Sequence, residues 1–106
     1  MKEYKVFIEA SAEKDLFGIL LYITKTLKQP TIAKRIYTEI KKQIDTLRAM
    51  PARQKIVEEE PYAAQGVRKL YVENYMVFYV VDDSKKEVHV FRILYNRREW
   101  QNLLFN

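Results

Sequence analysis

The residues most able to do chemistry are cations in the second half of the chain: Arg68 and Lys69, Arg92, and the adjacent pair Arg97-Arg98. Tyr71, Tyr75, Tyr79 and Tyr95 are interleaved with them. Arginine forks that grip phosphate, beside aromatic faces on which bases stack, are the parts of an RNA-binding cleft. On that reading Arg68, Arg97, Tyr75 and Tyr95 are candidate substrate-binding residues. The alternative is ion pairing of the same cations with Glu73, Glu87 or Glu99, with tyrosine tips left in water. A mid-strand arginine such as Arg68 or Arg92 is costly to bury without a carboxylate, an anion or open solvent. Other chemistries have little to stand on. With no cysteine and one histidine, His89, there is neither a thiol nucleophile nor the usual set of metal ligands, and no metal or cofactor is expected. Asp82-Asp83 reads as a solvated turn and Glu58-Glu59-Glu60 as a solvated acidic run.

The elements that must position these residues follow from periodicity. Tyr4 to Glu9 alternates, as a half-buried strand does. Ser11 is a plausible N-cap, with Glu13 and Asp15 placed where a helix dipole favours negative charge. Leu16, Ile19, Leu20, Ile23 and Leu27 then form one face of a helix from about Ala12 to Leu27. Pro30 suits the first turn of a second helix, whose apolar positions are Ala33, Ile36, Tyr37, Ile40, Ile44 and Leu47 and which Met50-Pro51 stops. Joined by about three residues, the two helices make an antiparallel hairpin. From Ala52 to Gln65 no period holds, and a surface excursion is expected.

Three runs follow: Val67 to Val72, Tyr75 to Val81 and Glu87 to Tyr95. Their short connections, Glu73-Asn74 and Asp82 to Lys86, predict an antiparallel meander in which Asn74 supplies the positive φ of the first turn. His89 takes the parity of Phe91, Ile93 and Tyr95. The expected architecture is α+β, ordered β-α-α-β-β-β. One sheet face lies under the helical hairpin, and the other is open unless the tail or a partner covers it.

At 106 residues, 48% hydrophobic and 31% charged, this is one domain, residues 1–106. The stretch from Leu16 to Thr24 is too short to span a bilayer, for which ~20 apolar residues are needed, and a cytoplasmic protein with no membrane partner is expected. A net charge of +5 suits a polyanionic partner, either nucleic acid or an acidic protein, without choosing between them.

Along essentially its whole length the chain resembles the RelE/ParE superfamily of toxins from bacterial type II toxin–antitoxin modules. The resemblance rests on Ser11-Ala12-Glu13-Lys14-Asp15-Leu16, Leu47-Arg48-Ala49-Met50-Pro51, Gly66-Val67-Arg68-Lys69-Leu70, Glu73 through Tyr79, and Val90 through Trp100. It implies one of two activities. RelE-like members cut mRNA on the ribosome, whereas ParE-like members poison DNA gyrase. The first implies a metal-independent endoribonuclease in which Lys69 and Arg98 are catalytic, Arg98 stabilising transition-state charge with Arg97 as its basic neighbour. Two positions depart from it. Met76 stands where RelE-like enzymes carry a cleft arginine, and Leu103-Leu104-Phe105 stands where they carry a catalytic tyrosine. Either branch implies an acidic antitoxin as partner. A superfamily member without toxicity is the third possibility. The expectation is a ribosome-dependent nuclease, with a gyrase poison as the alternative.

Overall fold

The computed structural model describes residues 3–96 and 100–104. A four-stranded mixed sheet is built from β1 (Lys5–Ile8), β2 (Arg68–Val72), β3 (Tyr75–Asp82) and β4 (Glu87–Tyr95) in the order β1-β4-β3-β2. The meander pairs antiparallel, and β1 lies parallel to β4. That parallel pairing needs a crossover, which the helical hairpin supplies. The hairpin consists of α1 (Ala10–Leu21), continued by one π-helical segment, Tyr22–Thr26, and α2 (Pro30–Asp45). Among the described residues no helix is long and apolar enough to cross a membrane.

The main core lies between hairpin and sheet. Leu16, Ile23, Ile36, Ile40 and Ile44 of the helices meet Leu70, Val72, Val77, Tyr79, Val88, Val90 and Ile93 of the strands. Two residues expected on the buried stripe are instead exposed: Leu27 at 49% and Tyr37 at 42%. For Leu27 the reason is the π segment. Its amide bonds the Tyr22 carbonyl five residues back, at 3.1 Å, so the following side chain rotates out of the i, i+4 register.

Sheet edges and turns correct the sequence expectations at several points. Ser11 does not cap a helix; α1 begins one residue before it, and the Ser11 hydroxyl donates to the Phe91 carbonyl at 2.6 Å. Asp15 also faces β4, where its carboxylate accepts the Ile93 amide at 2.9 Å. Both side chains take over from β1, whose pairing with β4 ends at Ile8–Val90. In the β2–β3 turn the left-handed residue is Glu73, with φ 54°, rather than Asn74. Within β4 the register passes from Phe78–Arg92 to Tyr79–Val90, leaving Phe91 as an extra, bulged residue. Val90 and Ile93 therefore both reach the main core, three positions apart, and His89 does not share a face with Ile93. His89 stacks on Phe7 instead, ring centroids 5.2 Å apart, on the face away from the hairpin.

That second face is not left open. Residues 57–67 and 100–104 fold over it, so that Val57, Val67, Trp100 and Leu104 bury Met76 and Phe78. Trp100 lies 5.0 Å from Phe78, and the Tyr62 hydroxyl holds the Gln101 carbonyl at 2.6 Å. Nor is 52–65 a free excursion: Val57 bonds the Val67 carbonyl, and Ile56 bridges to Arg68 beside β2.

Candidate functional site

Each candidate cation among the described residues is placed by its strand, and the sheet distributes them rather than gathering them. Arg68, at the start of β2, pairs with Tyr79 in register. Its guanidinium donates to the Gln54 carbonyl at 2.5 Å, while the Tyr79 hydroxyl donates to the Pro51 carbonyl at 2.6 Å. Together they tie 51–54 to the sheet. Burial pushes the Tyr79 phenol up to about 12, against the opposing pull of the Arg68 and Arg53 charges. The phenol is therefore a permanent donor at neutral pH and no acid–base group.

Arg92 is engaged on two sides. Its Nε donates to Asp15 at 2.7 Å, and the same carboxylate takes a second bond from the guanidinium at 3.1 Å. Its Nη1 reaches the carbonyls of Leu103 and Leu104. With side chains only 14% and 16% exposed, Arg92 and Asp15 form a nearly buried pair whose remaining donors meet backbone. That arrangement avoids the penalty of an unpaired internal charge.

Lys69 points to the second face, opposite Leu70 and Val72. Its ammonium sits 5.1 Å from the centroids of both Tyr71 and Trp100. Between this lysine and the 53–59 segment runs a shallow polar groove that also receives Arg53, Lys55, Glu58 and Glu59. The lysine is thus held by two ring faces yet open on one side, an arrangement suited to meeting an anion.

Tyr75 and Tyr95 are cross-strand partners whose rings meet edge to face at 5.8 Å. Burial raises the pKa of Tyr75 above its ordinary value, with the neighbouring Tyr95 and Glu73 adding to the rise. Both tyrosines line a groove of about 630 Å³ against the hairpin. They lie on the face opposite Lys69. Along the strand, Arg68–Tyr79 and Val72–Tyr75 are four pairs apart, about 13 Å at the usual rise. The cluster that the sequence drew together, Arg68 and Lys69 with Tyr75 and Tyr95, is therefore split across the sheet. Arg97 and Arg98 lie outside the described residues.

His89 is flanked by two carboxylates, Nδ1 at 3.1 Å from Glu9 and Nε2 at 2.9 Å from Glu87. The hydrogen bond to Glu87, with Glu9 in support, raises its pKa above the ordinary histidine value despite some burial. Its two nitrogens face different carboxylates, so the three groups do not converge on one point. No cluster able to hold a metal ion occurs among the described residues. Asp82 accepts from the Ser84 hydroxyl and the Lys85 amide in its turn, and those bonds lower its pKa. Periodicity did not reveal the Asp15–Arg92 pair or its hold on the tail. The legible hint was the cost of a mid-strand arginine, which demands a carboxylate somewhere.

Comparison with known proteins bears on what such a molecule is. Among solved structures, the fold matches a chromosomal ParDE toxin–antitoxin system from P. aeruginosa with a TM-score of 0.73 and 21% identity, covering 89% of this chain and 97% of that one. A RelBE toxin–antitoxin complex from Mycobacterium tuberculosis matches with a TM-score of 0.62 and 20% identity, over 88% of this chain and 98% of that one. The archaeal RelE–RelB complex from Pyrococcus horikoshii follows with a TM-score of 0.59 and 18% identity, over 90% and 97%. At these identities the likeness is one of fold. No curated protein sequence matches. The family described as the ParE toxin of the type II toxin–antitoxin system, parDE, matches residues 6–100. Spanning both the hairpin and the meander, that match shows that the chain belongs to the ParE toxin family of type II toxin–antitoxin systems.

Proposed function

We propose that this chain inhibits growth by acting on DNA gyrase, and that an acidic antitoxin neutralises it. Met76 is the observation that carries the choice of target. The resemblance to RelE-like nucleases places a cleft arginine at this position. Here Met76 is fully buried beside Phe78, Trp100 and Leu104, where a guanidinium would lose its water without gaining a carboxylate. Arg68 and Arg92 point the same way, since their donors are engaged by backbone carbonyls and Asp15. Family membership supports the ParE branch as well.

On this reading the cations serve binding rather than bond cleavage. Lys69 and the sequence pair Arg97-Arg98 contact gyrase or its DNA, where positive charge meets phosphate without needing transition-state geometry. An overall charge of +5 suits an acidic antitoxin, whose approach it speeds and orients. A cytoplasmic location goes with such a target.

Pulsed incorporation of thymidine and of amino acids after induction without antitoxin separates the targets. Early loss of replication, with gyrase trapped on DNA, is expected. Early loss of translation with cut mRNA would instead restore the ribosome-directed nuclease, with Lys69 and Arg98 as its catalytic pair. Unchanged growth at confirmed expression would contradict both.

A further inference from the structure

Charge is spread unevenly along the chain. Residues 10–48, the helical hairpin and the turn that follows it, carry eight Lys and Arg against four Asp and Glu. The rest of the chain holds eleven against ten, so nearly all of the +5 net charge sits on the hairpin. Three of the four hairpin carboxylates are engaged: Asp15 by Arg92, Asp45 by Arg48 at 2.6 Å, and Glu39 by the Gln43 amide at 2.9 Å. None of the six hairpin lysines forms an ion pair with another described residue. Between these lysines stand side chains that the core does not use. Phe17 and Leu21, one turn apart on α1, are 59% and 47% exposed, and Tyr37 of α2 is exposed as well. Lys14 and Lys25 bracket the α1 pair at helical spacing. Glu13 and Lys41 meet in a groove beside β1. With the helices antiparallel, one turn toward their loop from that point brings Phe17 level with Tyr37, and a second brings Leu21 level with Lys34. The Lys41 ammonium lies 5.8 Å from the Tyr37 ring centroid.

An apolar centre ringed by unpaired lysines has the make-up of a protein contact. Against a phosphate backbone, Phe17 and Leu21 would meet no apolar counterpart. They project outward at the i, i+4 spacing with which a helix enters the groove of a folded partner. The lysine rim selects a groove with acidic edges, since the one free hairpin carboxylate, Glu13, has Lys41 beside it. We propose that the outer face of the hairpin docks in an apolar, acid-edged groove of the target protein, which on the reading adopted here is gyrase. Phe17 and Tyr37 are the anchors, and Lys14, Lys25, Lys34 and Lys41 form the rim. A second copy of this chain does not fit, because a two-fold contact would set lysine against lysine. The proposal rests on the gyrase reading and adds the surface that touches the enzyme. Lys69, on the opposite face of the sheet, is left to the DNA.

Full-length variants are titrated into gyrase with supercoiled DNA, and covalent gyrase–DNA complexes are counted. Each variant is also titrated with the protein encoded by the adjoining reading frame, to report an intact fold. Phe17→Ala and Tyr37→Ala are each expected to raise the toxin concentration for half-maximal complex about tenfold or more, as truncation of an anchor does. Phe17→Ala keeps its thermal midpoint, because it trades an exposed ring for a better helix former. Lys34→Glu is expected to lower potency, more at about 50 mM salt than at about 300 mM. Lys85→Glu changes the net charge equally from the β3–β4 turn and keeps wild-type potency. Affinity for the adjoining protein is unchanged in all four. Wild-type potency in both Phe17→Ala and Tyr37→Ala would overturn the proposal. Equal losses in Lys34→Glu and Lys85→Glu would do the same, reducing the rim to bulk charge. So would wild-type potency joined to lost affinity for the adjoining protein, or to lost binding of phosphatidylglycerol vesicles, which would give the face to the antitoxin or to a membrane. If wild type itself forms no gyrase–DNA complexes, the gyrase reading fails, a result distinct from failure of the hairpin face.

Discussion

Asp15 accepts from the Arg92 guanidinium and from the Ile93 amide, and Arg92 donates onward to the carbonyls of Leu103 and Leu104. One carboxylate therefore links the first helix, the stretch of β4 beyond its pairing with β1, and the Leu103–Leu104 backbone beside Met76. Removing it leaves a nearly buried guanidinium without its counter-charge, so Asp15→Ala is expected to destabilise by roughly 3 kcal/mol or more. Urea denaturation measures this, and the single tryptophan gives a local readout. Trp100 is buried at 4% exposure, so loosening of the tail appears as a red-shifted emission at denaturant concentrations where helix content is unchanged. His89 sets a pH dependence. Its folded pKa is raised by Glu87 and Glu9, so its contribution to stability is fully present below the unfolded value of about 6.5 and is lost as pH rises through the folded value. The stability difference between wild type and His89→Gln is expected to be larger at about pH 5.5 than at about pH 8.5. A difference that grows with pH would contradict the assignment.

Among the elements, α2 shows the cleanest division of faces. Ala33, Ile36, Ile40 and Ile44 are buried, while Lys34, Arg35, Lys42 and Asp45 stay outside or partly so. Ile40 is fully buried, and Ile40→Ala is expected to cost about 2–5 kcal/mol by thermal or chemical unfolding. Leu20→Ala should cost less, because Leu20 is only partly buried at the edge of the core. Periodicity made both helices and β1 legible, since each buries one face, whereas β3, buried on both faces from Met76 to Tyr79, was legible as an apolar run between turns. Departures arose where a single residue changes the phase. The π-helical segment turns Leu27 outward, and the bulge at Phe91 moves Ile93 to the hairpin side. Ser11 and Asp15 look like ordinary residues of a helix start, yet they complete the edge of a strand some 80 positions away in sequence. Such pairings depend on tertiary proximity, which no local pattern encodes. The same holds for the candidate site. Lys69 on β2 and Tyr95 on β4 both belong to the basic and aromatic second half of the sequence, but the pleat sends them to opposite faces.

At the scale of the whole molecule, those two faces have different characters. One carries the hairpin and, beside it, an open groove lined by Tyr22, Tyr75 and Tyr95. The other is closed over Met76 by Trp100 and Leu104, with Lys69 at its margin. Neutralisation acts by mass action on the free toxin: antitoxin in excess of its Kd lowers the free fraction in proportion. On the proposed reading the target is gyrase and no RNA is cut. The most direct measurement incubates purified toxin with gyrase and supercoiled DNA, and in parallel with translating ribosomes carrying a defined mRNA. Covalent gyrase–DNA complexes that rise with toxin concentration and vanish when antitoxin is added are expected, beside intact message. Message cut on the ribosome, with gyrase turning over normally, would contradict it.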